Sequence, residues 1–448
     1  MLETDLIAAI ATAPGQAGIG VVRVSGPDAD DVARALLGRL PPARRATFAQ
    51  FKAADGTSLD EGLALWFEGP QSFTGEHVLE LHAHGGPVVL QMLLDRVREL
   101  GARTARPGEF SERAFANGKL DLAQAEAVQD LIAAASPAAA KAAVRSLQGA
   151  FSQQIDRLHA ALEALRIAVE AAIDFPDEEI EILSAANVAD QLRRLTQQVE
   201  AVKGAAQVGA RLQEGATIVI LGQPNVGKSS LLNALSGEAQ AIVTDIPGTT
   251  RDLLKTDLVV GGLPLRLVDT AGLHETQDPV ERMGIARAKA IAADADLVLL
   301  MLDATLVQAE GVEHCAAPLL ASVPEGAARL FVANKVDLLP DQVAFDGVLP
   351  ISALTGFGVD ALRQQLGALL GLGMNTDHVH SARARHLEAI DRAAQEMQLA
   401  ESAIDGGAAA ELIAESLRMA QDHLGSIVGV TTADDLLGKI FSEFCIGK

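Results

Sequence analysis

Residues 216–236 restrict the fold of this chain more than any other stretch. A short apolar run ends at Leu221, the loop Gly222-Gln-Pro-Asn225-Val226-Gly227-Lys228-Ser229 follows, and a helix opens at Ser230-Leu-Leu-Asn. A glycine-rich turn between strand and helix lets successive backbone N–H groups wrap phosphate oxygens at a helix N-terminus. Lys228 can then reach the outer phosphates, and the Ser229 hydroxyl can hold Mg2+. Ile218–Leu221, Leu265–Val268, Leu297–Leu302 and Leu330–Ala333 are nearly continuous apolar runs that alternate with helical stretches. That pattern predicts mostly parallel strands with helices on both faces.

Three more motifs follow in order. Asp269-Thr270-Ala271-Gly272 closes a strand, where a carboxylate can hold a water of the Mg2+ shell and the Gly272 N–H can meet a γ-phosphate. Asn334-Lys335-Val-Asp337 closes a later strand. The Asp337 carboxylate can accept from guanine N1–H and the 2-amino group, whereas adenine would leave it buried and unpaired. Ser352-Ala353-Leu354 can offer backbone N–H groups to guanine O6. Together these imply GTP. Between the phosphate loop and Asp269 lies Thr244-Asp245-Ile246-Pro247-Gly248-Thr249-Thr250-Arg251-Asp252, placed as a mobile loop that gives a hydroxyl to Mg2+ when the γ-phosphate is present.

Hydrolysis is less legible. The position after Gly272, where many small GTPases carry a water-orienting glutamine, is Leu273. His274, Glu275, Asp278 and Glu281 follow it, and spacing does not choose among them or separate them from ordinary solvated surface. No arginine finger is evident. The Asn225 amide either holds a monovalent cation beside the phosphates or merely stiffens the loop.

The chain has 448 residues, enough for two or three domains. Lys plus Arg is 36 against 59 for Asp plus Glu, a formal charge of −23, so no polyanion binds through the overall field. Any nucleic-acid contact needs a local basic patch. Two distant cysteines, Cys315 and Cys445, argue against a disulfide framework or a zinc site, and Cys315 reads as packing. No membrane-length apolar run or leader is evident, so the expectation is a cytoplasmic protein. Residues 1–118 read as α+β, with strands at Ile19–Val24, Ala64–Phe67 and Val78–Leu81 and a helix over Val88–Leu100. Apolar residues from Val144 through Phe151, Leu162 and Ile173 predict one long amphipathic helix, and Val188, Leu192, Leu195, Val199 and Val202 predict another. Thr432 and Asp435 mark the start of a last helix. The domains are then 1–118, a helical segment 119–214, a P-loop α/β domain 215–373 and a second helical segment 374–448. His82 and His84, near His77, form a conceivable metal pair.

These motifs, with Ala13-Pro-Gly, Gly20-Val-Val-Arg23-Val-Ser-Gly26, Glu80-Leu-His-Ala-His-Gly-Gly86, Arg106-Pro-Gly-Glu-Phe110, Asn117-Gly-Lys119-Leu-Asp121-Leu-Ala-Gln-Ala-Glu126 and the terminal Cys445-Ile-Gly-Lys448, resemble the MnmE (TrmE) family of tRNA-modifying GTPases. That family belongs to the TrmE-Era-EngA-YihA-Septin-like group of the TRAFAC class. The resemblance spans nearly the whole chain. It implies a folate-binding N-terminal domain that dimerises, and a helical domain into which the G domain is inserted. It also implies a partner, the FAD-dependent MnmG (GidA), in a heterotetramer or larger complex acting on tRNA. The shared product is an aminomethyl or carboxymethylaminomethyl group on C5 of the wobble uridine, its one-carbon unit coming from 5,10-methylene-tetrahydrofolate (5-formyl-tetrahydrofolate being the related ligand).

The resemblance also supplies roles. Asn225, Thr244, Ile246 and Thr249 match K+ ligands, Ser229 and Thr250 match Mg2+ ligands, and Glu281 matches the water-positioning glutamate. Arg251 and Asp252 match switch residues, Arg23, Glu80, Lys119 and Lys448 match folate-site positions, and Cys445 matches a cysteine needed for modification. Gln16 and Gln223 stand where the family often has Arg. Two other functions share part of the pattern: a ribosome-assembly GTPase switch, and a folate-dependent one-carbon enzyme regulated by GTP.

Overall fold

The computed structural model describes residues 5–174, 185–236, 255–260, 263–269, 295–324, 326–340, 345–370, 379–431, 434–442, 444 and 447. Two compact units result. One comprises Met1–Gln129, Leu147–Val188 and Leu399–Lys448, the other Asp130–Ser146 and Ala189–Gln398.

The first unit begins with β1 (Ile7–Ile10), β2 (Ala17–Ser25), α1 (Ala29–Leu37), β3 (Thr47–Lys52), β4 (Ser58–Phe67), β5 (Val78–Gly85), α2 (Pro87–Glu99), β6 (Arg103–Thr104) and α3 (Glu109–Ala116). The sheet order is β3-β4-β5-β2-β1-β6. Alternation decides its faces. Val22, Val24, Leu79, Leu81 and Ala83 are buried with Leu36, Leu93 and Val97 from the helices, while Arg23, Glu80 and His82 point the other way. β1 and β3 escape the apolar-run criterion because they are short and carry Ala, Thr and Gln.

α4 (Leu122–Ala133) opens on a reciprocal cap. Asp121 Oδ1 accepts from the Gln124 N–H (2.8 Å), and Gln124 Oε1 from the Asp121 N–H (3.0 Å). The single helix expected from Val144 to Ile173 is two: α5 (Pro137–Leu147) and α6 (Ala150–Asp174). The Gln124 side chain bonds the Leu147 carbonyl (3.1 Å) and ends α5 there. Phe151, Ile155, Leu158, Leu162, Leu165 and Val169 form the buried seam of α6 as expected. α7 spans Ala185–Glu214.

The second unit carries β7 (Ala216–Gly222), α8 (Lys228–Ser236), β8 (Lys255–Val260), β9 (Leu263–Asp269), β10 (Leu297–Asp303), α9 (Ala304–Glu310), α10 (Val312–Leu320), β11 (Arg329–Asn334), β12 (Leu349–Pro350) and α11 (Val359–Leu369). Its sheet order is β12-β11-β10-β7-β9-β8, parallel except for the edge strand β8. α12 (Ala384–Asp405), α13 (Ala410–Val428) and α14 (Asp434–Ser442) complete the chain. Thr432, the expected cap of α14, lies outside the described residues.

An inserted sheet needs its two helical flanks rejoined. Asp130, at the end of α4 and 3% exposed, receives the Arg383 guanidinium (2.7 Å) and the Ser381 hydroxyl (2.7 Å) from the strand of chain that returns from the sheet. Ser146 donates to the Ser381 carbonyl (3.1 Å), and Arg145 to that of Val379 (2.9 Å). Burying a carboxylate is tolerable only because these donors replace its water. Asp130→Ala leaves the Arg383 charge without this partner, and the expected loss is about 3–5 kcal/mol. Chemical denaturation of the full chain measures it, and a loss below about 1 kcal/mol contradicts the assignment.

Candidate functional site

The second sheet converges on one edge. In the parallel registers Met301 of β10 stands opposite Gly222 of β7, and Asp303 opposite Asn334. Ile220 stands opposite Asp269. The carboxyl ends of β7, β9, β10 and β11 therefore come side by side. The chain winds from β7 to β9 on one side and to β10 on the other, and such a reversal point is where open α/β sheets bind ligands.

At that edge the phosphate loop is held open by backbone geometry. Asn225 adopts φ 58° and Gly227 φ 100°. Val226 is buried in the sheet core, while Asn225, Ser229 and Ser230 are exposed. Lys228, only 8% exposed, donates to the carbonyls of Gly222 (2.8 Å) and Gln223 (3.1 Å). A carbonyl accepts regardless of side chain, so Gln223 in place of Arg costs the loop nothing here. The exposed Ser229 hydroxyl and Asn225 amide are oxygen donors of the kind hard cations take.

Asn334 ties this loop to the base motif. Its Nδ2 donates to the Val226 carbonyl (2.8 Å), and its Oδ1 accepts from the Ala353 N–H (2.9 Å). One buried amide thus fixes the phosphate loop, the Asn-Lys-x-Asp turn and the Ser-Ala turn in one frame. The Ser352 hydroxyl bonds Asp337 Oδ1 (2.5 Å), orienting the carboxylate, and accepts from the Thr355 N–H (3.1 Å). Lys335 is left-handed at φ 72° and its ammonium bonds Asp303 Oδ2 at 2.6 Å. Burial alone would raise the Asp303 pKa, but hydrogen bonds from Lys335 and Thr305 outweigh it and keep the carboxylate below its ordinary range. Asp303 also caps α9 through the Thr305 N–H (3.0 Å). It was not singled out from the sequence, although an Asp ending an apolar strand before a helix is a cap signal.

Of Asp269 only the backbone, at the end of β9, is described. Thr244, Asp245, Ile246, Pro247, Gly248, Thr249, Thr250, Arg251, Asp252, Thr270, Ala271, Gly272 and Glu281 lie outside the described residues, as do Cys445 and Lys448.

A second constellation sits on the first unit's sheet. Arg23 and Glu80 are direct partners in register on β2 and β5. The Arg23 guanidinium bonds Glu80 Oε1 (2.9 Å), with His82 Nε2 3.4 Å from Oε2. It also stands 5.7 Å from the ring centroids of both Phe73 and Phe110, and donates to the carbonyl of Gly447 (3.2 Å). Gly447 is buried at φ 94°, where an added Cβ would meet the Ile10 carbonyl, so the glycine of the terminal motif is required for this approach. Phe441 and Phe444, packed with Phe115, Leu122 and Ile440, carry the tail there. Lys119 bonds the Pro70 carbonyl (3.0 Å). Phe73 was not singled out from the sequence, and Phe110 and Gly447 entered only as members of motifs, because only the folded sheet brings them to Arg23.

Each of the three histidines meets another group, His82 lying beside Glu80 as above. His84 bonds Asp60 (2.8 Å), and His77 stacks on Trp66 and accepts from the Gly69 N–H (3.1 Å). No metal-ligating cluster occurs among the described residues. Cys315 is buried against Leu302, Val307 and Ala316, and burial pushes its thiol pKa up, which fits packing.

The family profile "GTP-binding protein TrmE N-terminus" matches residues 6–119, and "MnmE helical domain" matches residues 122–445. The chain is 51% identical to the tRNA modification GTPase MnmE of Pectobacterium carotovorum and 51% to that of Shewanella amazonensis, each over the full length of both proteins. Among solved structures, the FeoB G-domain of Methanococcus jannaschii is 26% identical, covering 35% of this chain and 97% of its own, at a TM-score of 0.27. Family membership does not rest on that last likeness.

A Cβ on Gly227 would strike the Asn334 amide, and its φ disfavours any side chain. Gly227→Ala is expected to weaken GDP binding at least tenfold, roughly 1.4 kcal/mol or more, and to lower the melting temperature as well, since the strained backbone and displaced Asn334 also cost stability. Titration calorimetry checks it; wild-type affinity would remove the Asn334 link from nucleotide binding.

Proposed function

The chain belongs to the MnmE family of tRNA modification GTPases, and on that premise we propose that GTP turnover here is K+-stimulated and drives modification of the wobble uridine. The coupling through Asn334 supports the GTP half, since one side chain holds the phosphate loop and the guanine-reading turn together. In this reading the backbone of Asn225 to Ser230 and the Lys228 ammonium hold the phosphates. Asn334, Asp337, Ser352 and Ala353 read guanine, with Lys335 beside the base. Ser229 and Thr250 hold Mg2+, with Asp269 behind its water and Gly272 at the γ-phosphate. K+ takes oxygens of Asn225, Thr244, Ile246 and Thr249, and supplies the positive charge that no arginine finger supplies. Glu281 orients the attacking water, and Arg251 and Asp252 act in the switch.

The Arg23–Glu80 pair, with Lys119 and Lys448, is the folate site in this proposal. A carboxylate facing a guanidinium offers the acceptor and donor that a pterin edge needs, and cations suit the glutamate tail. Methylene-tetrahydrofolate supplies the one-carbon unit when bound there. Cys445 belongs to the modification step; of the terminal motif, Gly447 is described, and its carbonyl accepts from Arg23. The protein acts in the cytoplasm as a homodimer with the FAD-dependent partner MnmG and tRNA. No helix among the described residues is long and apolar enough to cross a membrane.

Reconstitution with the flavoprotein, tRNA, methylene-tetrahydrofolate, GTP and K+ is expected to yield wobble uridine substituted at C5. Unchanged uridine in tRNA from a deletion strain would instead favour a ribosome-assembly switch. GTP hydrolysis is expected to be faster in KCl than in NaCl, and equal rates sink the cation assignment. Glu281→Ala is expected to keep GDP affinity and lower kcat by about 100-fold; normal turnover would exclude Glu281.

A further inference from the structure

One carboxylate at the nucleotide edge has no task in the phosphate, metal or guanine roles given above. Lys335 stands between Asn334 and Asp337 in the guanine-reading turn, and its ammonium bonds Asp303 Oδ2 at 2.6 Å. Asp303 ends β10, the strand between β7, which leads into the phosphate loop, and β11, which leads into the turn. Asp303 stands opposite Asn334 in register, and Met301 opposite Gly222. The Lys335 side chain therefore runs from the end of β11 onto the end of β10. A nucleotide with its base at Asp337 and its phosphates at Lys228 crosses that same strand end.

The pair is not a loose surface contact. Both side chains are largely withdrawn from solvent. The two oxygens of Asp303 divide their work: Oδ1 accepts from the Thr305 N–H (3.0 Å) and the Thr305 hydroxyl (2.6 Å), and Oδ2 accepts from Lys335. The first turn of α9 thus fixes the plane of the carboxylate, and the carboxylate fixes the lysine. Lys335 is also left-handed at φ 72°, a conformation that costs free energy in any residue with a Cβ, so its side chain is constrained at both ends. Capping α9 accounts for Oδ1 alone. A serine would cap the helix as well with its single oxygen.

We propose that Asp303 is a positioning residue for the guanine nucleotide, holding the Lys335 stem beside the base and so slowing nucleotide release. The inference rests on the GTP-binding reading above and adds the residue that sets Lys335. A lysine stem offers apolar surface along its methylenes while the ammonium stays paired. Left free, such a chain samples many rotamers, and ordering it on binding costs affinity. Asp303 orders it before the nucleotide arrives. Affinity differences of this kind fall mainly on the off-rate.

The test is stopped-flow release of a fluorescent GDP analogue from the full-length chain. Asp303→Asn and Asp303→Ser each keep an oxygen to cap α9 and leave no carboxylate for Lys335. Lys335→Met keeps an apolar stem and removes the ammonium. Each is expected to release the nucleotide about tenfold faster than wild type. The double variant Asp303→Asn, Lys335→Met is expected to release it no faster than Lys335→Met alone, because Asp303 acts through Lys335. A carboxylate that merely capped α9 would give the same factor with or without Lys335, and such multiplying effects overturn the proposal. Wild-type release from both Asp303 variants overturns it too. Lys335→Met leaves the cap intact, so wild-type release from that variant is fatal even where loss of Asp303 disturbs folding. A wild-type chain that fails to retain GDP sinks the GTP-binding reading together with this inference, whereas wild-type retention with unaltered variants sinks the inference alone.

Discussion

A buried carboxylate closes the insertion. Asp130 comes from the first helical segment, and Ser381 and Arg383 from the second, on the far side of the inserted sheet in sequence. Nothing local favours that meeting; it exists because a charge that has lost its water must find donors. The same return strand sets its His380 carbonyl against Gly209 of α7, where a Cβ has no room. Val379, Val208 and Leu212 then join the sheet's core with Leu267 and Leu299. Apolar packing and the Asp130 network thus fix where the sheet enters and leaves the helices.

The nucleotide edge repeats that logic at smaller scale. Three turns far apart in sequence are held by the two ends of the Asn334 amide, which donates to one and accepts from another. Asp303 adds a fourth strand end by holding Lys335 while capping α9. A site made this way is rigid because each turn carries hydrogen bonds that the others complete.

On the first unit, a larger ion network supports the sheet face around Arg23. Glu109, nearly inaccessible to water, accepts from Arg103 (2.8 Å) and from the Arg106 N–H (2.7 Å). Burial by itself would raise its pKa, but these donors hold it below the ordinary range. Because the folded pKa is depressed, its contribution is present at neutral pH and lost as the solution is acidified through the carboxylate range. Arg113, also buried, reaches Asp5 and Glu76, so the network links α3 to the strand edge.

The sequence by itself determined which chemistry is present. The strand-loop-helix around Lys228 and the order of Asp269, Asn334, Asp337 and Ser352 depend on local backbone conformation and fixed spacing, and such features are written residue by residue. The long apolar runs of β7, β10 and β11 were legible because strands buried on both faces must be apolar throughout. β1, β3 and β8 were not, since short or edge strands carry no such demand. The break between α5 and α6 was hidden because a seam of apolar residues runs through it, and only the Gln124 side chain from another helix marks the end. Tertiary structure alone decided that Asp303 holds Lys335, that Gly447 meets Arg23 and that Asp130 meets Arg383. Each of these joins residues distant in sequence, and no periodicity or propensity along the chain encodes a partner that only folding brings near.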